Sequence, residues 1–435
     1  MILWIISNIY MLKIIKDLYP LGIQLLGESY DKALEYIEKI LPNRELQIPL
    51  EIIEIKSGTK LEQWTVPDEW VVKDAWVKFK GEKILDYKKN PLCLVVYSAP
   101  FKGKMTREQF LPYLNIAPEV NAYAYKYSFY EKKWGFTIPH DSVYKDNHLQ
   151  LEEGEYEIMI DTEFKPGVMK LGVHTIIGKS EREILLFAHL DHPYQANDNL
   201  SGVACLIDLA KKIKCEHTVK IIFCPETIGS IAYGLTQDIS KVDFVIALDC
   251  IGNDNSILIQ KAWDKEARIN FAIHFALPDL MADYRKGEFR YLIGSDEYFF
   301  NDPKIGIPGI MLSRWPYPEY HTELDKPEIV KEEKLIEIQN LILKTIDIYE
   351  QDFIPVKNFK GPLMRSKYGV QTVSKDTNRG IDYLIYGIDG EKWLSRIAIG
   401  LGLSWNFCYD LLVKLEKDGY ISRNSGKVRK SKTAK

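Results

Sequence analysis

Residues 183–210 read EILLFAHLDHPYQANDNLSGVACLIDLA, and this stretch sets the fold class. Its first part, EILLFAHL, is a continuous apolar run of strand length. Its last part, SGVACLIDLA, has the apolar spacing of a helix. A strand that is apolar at every position is buried on both faces, as in a parallel sheet covered by helices on either side. The same texture extends over 151–350, where GEYEIMIDTEF, KIIFCPE and FVIALDCIG are further apolar strands with helical segments between them. The expected fold is therefore α/β, a three-layer α/β/α core on a buried, mostly parallel sheet.

Three other textures flank this core. Residues 1–45 read as helix, with LGESYDKALEYIEKIL carrying apolar positions at three- and four-residue steps. Residues 46–150 break into short strands (LEIIEI, QWTV, EWVVKDAWVKF, KILDY, PLCLVVYSA) separated by the turn signals SGTK, PDE, KGE and KKNP. Residues 351–377 are polar and irregular and read as a linker, and 378–435 form a small separate module. At about 150 residues per domain, 435 residues accommodate roughly three domains.

Composition narrows the function classes. With 46% hydrophobic and 27% charged residues the chain is neither disordered nor collagen-like. A net charge of −4 excludes a general polyanion binder. The apolar run Ile2–Leu12 is about half the ~20 residues a spanning helix needs, and it has neither the basic start nor the cleavage site of a signal peptide. It reads as a buried N-terminal helix or as sequence upstream of a true start at Met11. No membrane partner is expected. The six cysteines contain no C-x-x-C pair and sit mostly in apolar runs, which fits reduced, buried thiols of a cytoplasmic protein.

Chemistry-bearing residues concentrate where the apolar strands end. EILLFAHL ends in His189, followed by Asp191; Asp198 opens the next helix; VKIIFCPE ends in Glu226; VDFVIALD ends in Asp249; His321 follows the strand-like IPGIMLSR. Ligands of open α/β sheets bind outside the carboxyl ends of the strands. Imidazole and carboxylate together suit zinc or a related borderline metal. His192 falls outside this pattern, and His140, His148, His174, His217 and His274 read as ordinary surface or core residues. Glycines 202 and 252 serve turns and close backbone approach, because no phosphate-binding pattern surrounds them.

In order, HLD (189–191), NDNLSGVA (197–204), PETIGS (225–230), LDCIG (248–252), GSDEYFF (294–300) and YHTELD (320–325) resemble the motifs of the co-catalytic di-zinc aminopeptidases. More narrowly, SGTKLEQWTVPDEW (57–70) and SFYEKKWGFTIPH (128–140) resemble an uncharacterised aminopeptidase-like family. That family inserts a protease-associated-like β domain before the catalytic motifs and appends a winged helix. The resemblance implies one or two zinc ions per chain and hydrolysis of a peptide or amide bond at a free amino terminus. It implies Asp198 as the carboxylate bridging two metals, His189 and Asp249 on one side, and His321 on the other. It implies Asp191 as the residue orienting His189, and Asp296 as hydrogen-bonded support. Glu226 would be the group that takes and returns a proton.

The chain departs from the di-zinc aminopeptidase pattern at one position. Two adjacent glutamates are expected at the third strand end, the first as base and the second as metal ligand, and this chain has Glu226-Thr227. A hydroxyl is a poor substitute for a carboxylate on zinc. Either the second metal site is weakened, or Glu226 itself binds metal and another group acts as base. Two other readings follow: a one-metal, glutaminyl-cyclase-like enzyme using Asp198, Glu226 and His321, or a non-catalytic metal-binding scaffold acting through its C-terminal module.

In that module Leu394–Ile399 reads as a short helix, Gly400-Leu401-Gly402 as a turn, Ser404 as an N-cap, Trp405–Lys417 as a second helix, and Tyr420–Lys430 as the strand and wing of a winged helix. The tail from Arg423 is basic, which suits phosphate contact with DNA. The helix, however, mixes Asp410, Glu416 and Asp418 with Lys414 and Lys417, so a protein partner or dimerisation is the favoured reading.

Overall fold

The computed structural model describes residues 10–42, 45–117, 120–145, 148–368 and 375–424; for 375–379 it describes the backbone alone. The first nine residues, which hold most of the apolar run, and the basic tail from 425 onward lie outside the described residues. Two compact units divide the chain. The first comprises residues 1–263 and 283–339, and the second 264–282 and 340–435.

The first unit begins with helices α1 (Tyr10–Leu18) and α2 (Glu28–Ile40). In α1 the apolar side chains Met11, Ile14, Ile15 and Leu18 recur at helical spacing and are all buried. Strand β1 (Gln47–Lys56) follows. Strands β2 (Glu69–Phe79), β3 (Glu82–Asp86), β4 (Phe101–Thr106) and β5 (Glu155–Lys165) then form a separate antiparallel sheet in the order β3-β2-β5-β4. Its core is aromatic and aliphatic, including Trp70, Tyr97, Phe110, Phe136 and Tyr156.

The large sheet is completed by β6 (Val168–Ile176), β7 (Ser180–His189), β8 (His217–Cys224), β9 (Val242–Asp249), β10 (Ile257–Gln260), β11 (Tyr284–Gly287) and β12 (Gly309–Ser313). Its eight strands run in the order β1-β6-β8-β7-β9-β12-β10-β11. The middle strands β8, β7, β9 and β12 are mutually parallel, as the apolar runs predict. The sheet as a whole is mixed, because β1 pairs antiparallel with β6, β6 with β8, and β10 with β12, while β10 and β11 are parallel. Strand β1 thus belongs to the large sheet, although its sequence lies in the β-rich stretch. Strand β5 belongs to the small sheet, although its sequence adjoins the core.

Helices α3 (Ser201–Leu209) and α4 (Ile228–Thr236) connect the middle strands. Leu185 and Phe187 of β7 pack in one cluster with Ile228, Ile231 and Tyr233 of α4. The intervening residues of β7 face the other way, where α3 packs on β7 and β9 and α1 packs on α3. These are the three layers. Gly178 lies in the turn between β6 and β7, where a Cβ would meet the His217 carbonyl oxygen at 2.2 Å.

In the second unit, helix α5 (Arg268–Leu280) and the C-terminal part of α6 (Glu332–Gln351) pack with α7 (Lys375–Gly387), α8 (Leu394–Leu401) and α9 (Trp405–Lys417). Ser404 caps α9 by accepting from the Phe407 amide, and Gly402 ends α8 in the left-handed region. Within the stretch read as a linker, β13 (Ile354–Lys357) pairs antiparallel with β14 (Ile421–Asn424). Among the described residues, no helix is long and apolar enough to cross a membrane.

Candidate metal centre

Strand order explains why the site sits where it does. After β7 the chain moves to one neighbour, β8, and then crosses to the other, β9, so the loops beyond β7 diverge and leave a crevice at its carboxyl end. His189 is the last residue of β7, Asp249 the last of β9, and Glu226 follows β8 by two residues. Asp198 lies in the turn leading into α3, and His321 lies beyond β12.

Asp198 is the centre of the arrangement. Its Oδ1 is 2.9 Å from His189 Nε2, while its Oδ2 is 2.9 Å from His321 Nε2 and 3.1 Å from His192 Nδ1. His192 Nε2 in turn lies 3.4 Å from Glu226 Oε2. His189, Glu226 and Asp249 converge closely enough to hold one ion, as do His189, His192 and Asp198. Most of these groups are buried. Glu226 and His321 keep 27% and 20% of their side chains exposed, so the cluster opens to solvent on their side.

The electrostatics follow from burial against close pairing. Burial would raise Asp198, but the three histidines hold its carboxyl well below the usual range. Burial would lower His189, but the Asp198 hydrogen bond and the charges of Asp249 and Glu226 raise it to about 10. Asp249 is pushed up to about 6 by burial, against the pull of His189. Deeper still, burial raises Asp296 to about 7 and Glu297 to about 8.

The donor set fits a borderline divalent metal. His192 Nδ1 and His321 Nε2 lie 3.1 and 2.9 Å from Asp198 Oδ2, and all three atoms are buried without an aligned hydrogen bond. Lone pairs aimed at a common point rather than at each other give this pattern. Nitrogen and carboxylate oxygen are zinc's usual donors.

Surrounding bonds fix the donors. Asp325 accepts from the amides of Asn197 at 2.6 Å and Asp198 at 3.1 Å, and from the Tyr317 hydroxyl at 2.7 Å. Asn199 donates to the Leu248 carbonyl and accepts from the Cys250 amide, joining the Asp198 turn to the end of β9. Buried Arg314 donates to the Ile251 carbonyl and to Glu337, holding the loop after Asp249. Tyr194, Thr227, Cys250 and His321 all have φ between 54° and 61°, so the loops that carry the site include strained backbone.

The residues singled out in the sequence thus come together, with differences in detail. Asp191 accepts from the Glu226 amide at 2.9 Å, so its observed bond is to the loop carrying Glu226. The carboxylate nearest His189 Nδ1 is Asp296, at 3.9 Å, which also accepts from the Thr227 amide. His192 belongs to the cluster, although the motif reading passed over it. Its signal in the sequence is its place three residues after His189. Asp325 and Tyr125 also escaped notice. Tyr125 comes from the β-rich stretch: its amide donates to the His321 carbonyl at 2.7 Å, and its ring lies 5.1 Å from His192 and 5.0 Å from His321.

Comparison with known proteins places this geometry. The family model described as "Domain of unknown function (DUF4910)" matches residues 12–352. The chain belongs to the DUF4910 family. A relative from Clostridium acetobutylicum, named "Putative polysaccharide biosynthesis protein with aminopeptidase-like domain", is 33% identical over 425 residues, covering 93% of this chain and 94% of its own. A crystal structure from the same organism, described as that of a "putative peptidase", has a TM-score of 0.78 at 29% identity and covers 96% of this chain and 97% of its own. A zinc aminopeptidase from Bacillus subtilis has a TM-score of 0.57 at 14% identity, with 78% and 94% covered, and shows the shared fold alone. This DUF4910 member is therefore an aminopeptidase-like protein with the α/β fold expected from its motifs.

Proposed function

We propose that the chain is a metal-dependent hydrolase that cleaves a peptide or amide bond at a free amino terminus, with zinc as its metal. The observation that carries this reading is Asp198, whose two oxygens face different histidines at 2.9 Å. A carboxylate so placed would be shared by two ions. His189 and Asp249 would complete one side and His321 the other. Zinc, when bound, supplies Lewis acidity, lowering the pKa of water toward ~7 and polarising a carbonyl.

The chain's own residues do the rest. Glu226 is held ionised: burial would raise its pKa, but the hydrogen bond and charge of His192, with the charge of His189, lower it. Being partly exposed, it can take a proton from the attacking water at Oε2 and return it to the leaving amine. Asp191 fixes its backbone and Asp296 fixes that of Thr227. The segment around Tyr125, bridged antiparallel to Thr322 through Ala124, roofs His192 and His321 and would limit access to short substrates.

The remaining features complete the reading. The 46–150 region would be a protease-associated-like domain and the C-terminal unit a winged helix that docks a protein partner. Six free cysteines support a cytoplasmic setting.

The test is a zinc count followed by a screen of aminoacyl nitroanilides and di- to pentapeptides, each with an N-acetylated control. Hydrolysis of free-amine substrates alone is expected. A fully zinc-loaded chain that cleaves none of them would overturn the assignment.

A further inference from the structure

The di-zinc aminopeptidase motifs expect a carboxylate ligand at the position of Thr227, and this chain has threonine there. We propose that His192 takes its place, binding the second metal through Nδ1 together with Asp198 Oδ2 and His321 Nε2. The proposal rests on the metal-dependent reading above and goes further, naming a ligand that the motifs do not contain.

Four observations support it. First, His192 Nδ1 lies 3.1 Å from Asp198 Oδ2, the same oxygen that His321 Nε2 approaches at 2.9 Å, whereas His189 faces the other oxygen. Asp198 thus sorts the three histidines into two sets, and His192 falls with His321. Second, these three atoms are buried and lack an aligned hydrogen-bond partner, the arrangement left when donors point at a shared centre.

Third, the His192 ring is held in this orientation. Its centroid lies 5.1 Å from Tyr125, 4.8 Å from His189 and 5.3 Å from His321. Its other nitrogen, Nε2, is 3.4 Å from Glu226 Oε2. A carboxylate facing the far nitrogen fixes the tautomer, placing the proton on Nε2 and the lone pair on Nδ1, as metal-binding imidazoles require. Fourth, Thr227 is committed through its backbone. It has φ 61°, its amide donates to Asp296 at 3.0 Å, and its carbonyl accepts from Ser230 at 3.0 Å.

One consequence is chemical. With His192 as ligand, Glu226 need not bind metal to complete the second position. It stays available to move a proton while its Oε2 orients His192. The alternative left open by the sequence, in which Glu226 becomes the ligand and another group the base, is then unnecessary.

The experiment uses the full chain stripped of metal, then titrated with zinc and, separately, with cobalt(II). Bound metal is counted by elemental analysis and cobalt coordination is read from the visible spectrum. The wild type is expected to take up two zinc ions. His192→Ala should keep the first within a few-fold of its affinity and bind the second at least ~100-fold more weakly, with loss of the matching cobalt band. His192→Asn, which retains a polar side chain of similar size, is the second variant should alanine unfold the loop, and the same loss is expected. Far-UV circular dichroism of the metal-free proteins checks that each is folded. Two ions bound with unchanged affinity in a folded variant would overturn the role of His192 and leave the hydrolase reading standing. A wild type that holds one zinc would also overturn it, and one that holds none would remove both.

Discussion

The Asp325 carboxylate offers a sharp test of how the site is held. It accepts three hydrogen bonds inside the protein: the Asn197 amide on Oδ1, and the Asp198 amide and Tyr317 hydroxyl on Oδ2. Asparagine has the same shape but a single acceptor oxygen. Placed at Oδ2, that oxygen satisfies Asp198 and Tyr317 and turns an NH2 group toward the Asn197 amide, leaving a buried donor unpaired. Such a donor costs about 1–3 kcal/mol. Asp325→Ala strands all three donors and should cost about 3–9 kcal/mol on the same basis. Urea unfolding of the metal-free proteins reads this directly. At a slope of about 3 kcal/mol per molar, a 2 kcal/mol loss moves the midpoint by about 0.7 M. Since the bonds position Asp198, zinc affinity should also fall, by about 10–100-fold in Asp325→Asn. A midpoint within about 0.1 M of wild type together with unchanged zinc affinity would refute the idea that Asp325 holds the bridging carboxylate in place.

Three further expectations can be checked separately. Glu226→Gln should lower kcat by about 10²–10⁴-fold while the zinc count stays at the wild-type value; an equal loss of metal would instead make Glu226 a ligand. Asp352 is raised to about 6 by burial, partly offset by its bonds from Ser395. The folded state therefore favours the protonated acid, and this contribution is full below about pH 4 and lost as pH rises through about 6. Stability relative to Asp352→Asn should fall by about 3 kcal/mol across that window in a pH series of urea unfolding, and a flat difference would contradict it. Gly178→Ala places a Cβ 2.2 Å from the His217 carbonyl and 2.4 Å from that of Glu216, so thermal unfolding should show about 1–3 kcal/mol of destabilisation.

Sequence legibility followed the range of the interactions involved. Strands β7, β8 and β9 could be read because burial on both faces leaves a local record, an unbroken apolar run. His189, Glu226 and Asp249 could be read because a strand end fixes where a side chain emerges. Tyr125 could not, since it reaches His321 from nearly 200 residues away and nothing in the intervening sequence marks the contact. Asp325 stood in view within YHTELD, but its partners are backbone amides, which every sequence contains. His192 lies outside the di-zinc aminopeptidase motifs, so a reading by motif gives no reason to place it in the cluster. The edge strand β1 was misplaced on texture for a similar reason. An amphipathic edge strand resembles its neighbours in a small sheet until its partner is known.

The second unit is discontinuous, and this bears on how the protein is made. Helix α5 lies between β10 and β11 in sequence, yet Phe275 packs against Trp405, and Arg268 stacks on Trp393 while donating to the Tyr349 carbonyl. As the chain leaves the ribosome, α5 emerges long before α8 and α9 exist to meet Phe271 and Phe275. The unit can close only at the end of synthesis. A stop codon anywhere after α6 would strand an apolar helix, and a fragment beginning at 378 would lack the helix that completes its interior. The C-terminal module is therefore sewn into the chain rather than appended to it, and its loss by truncation should be registered by quality-control proteases as a defect of the whole protein.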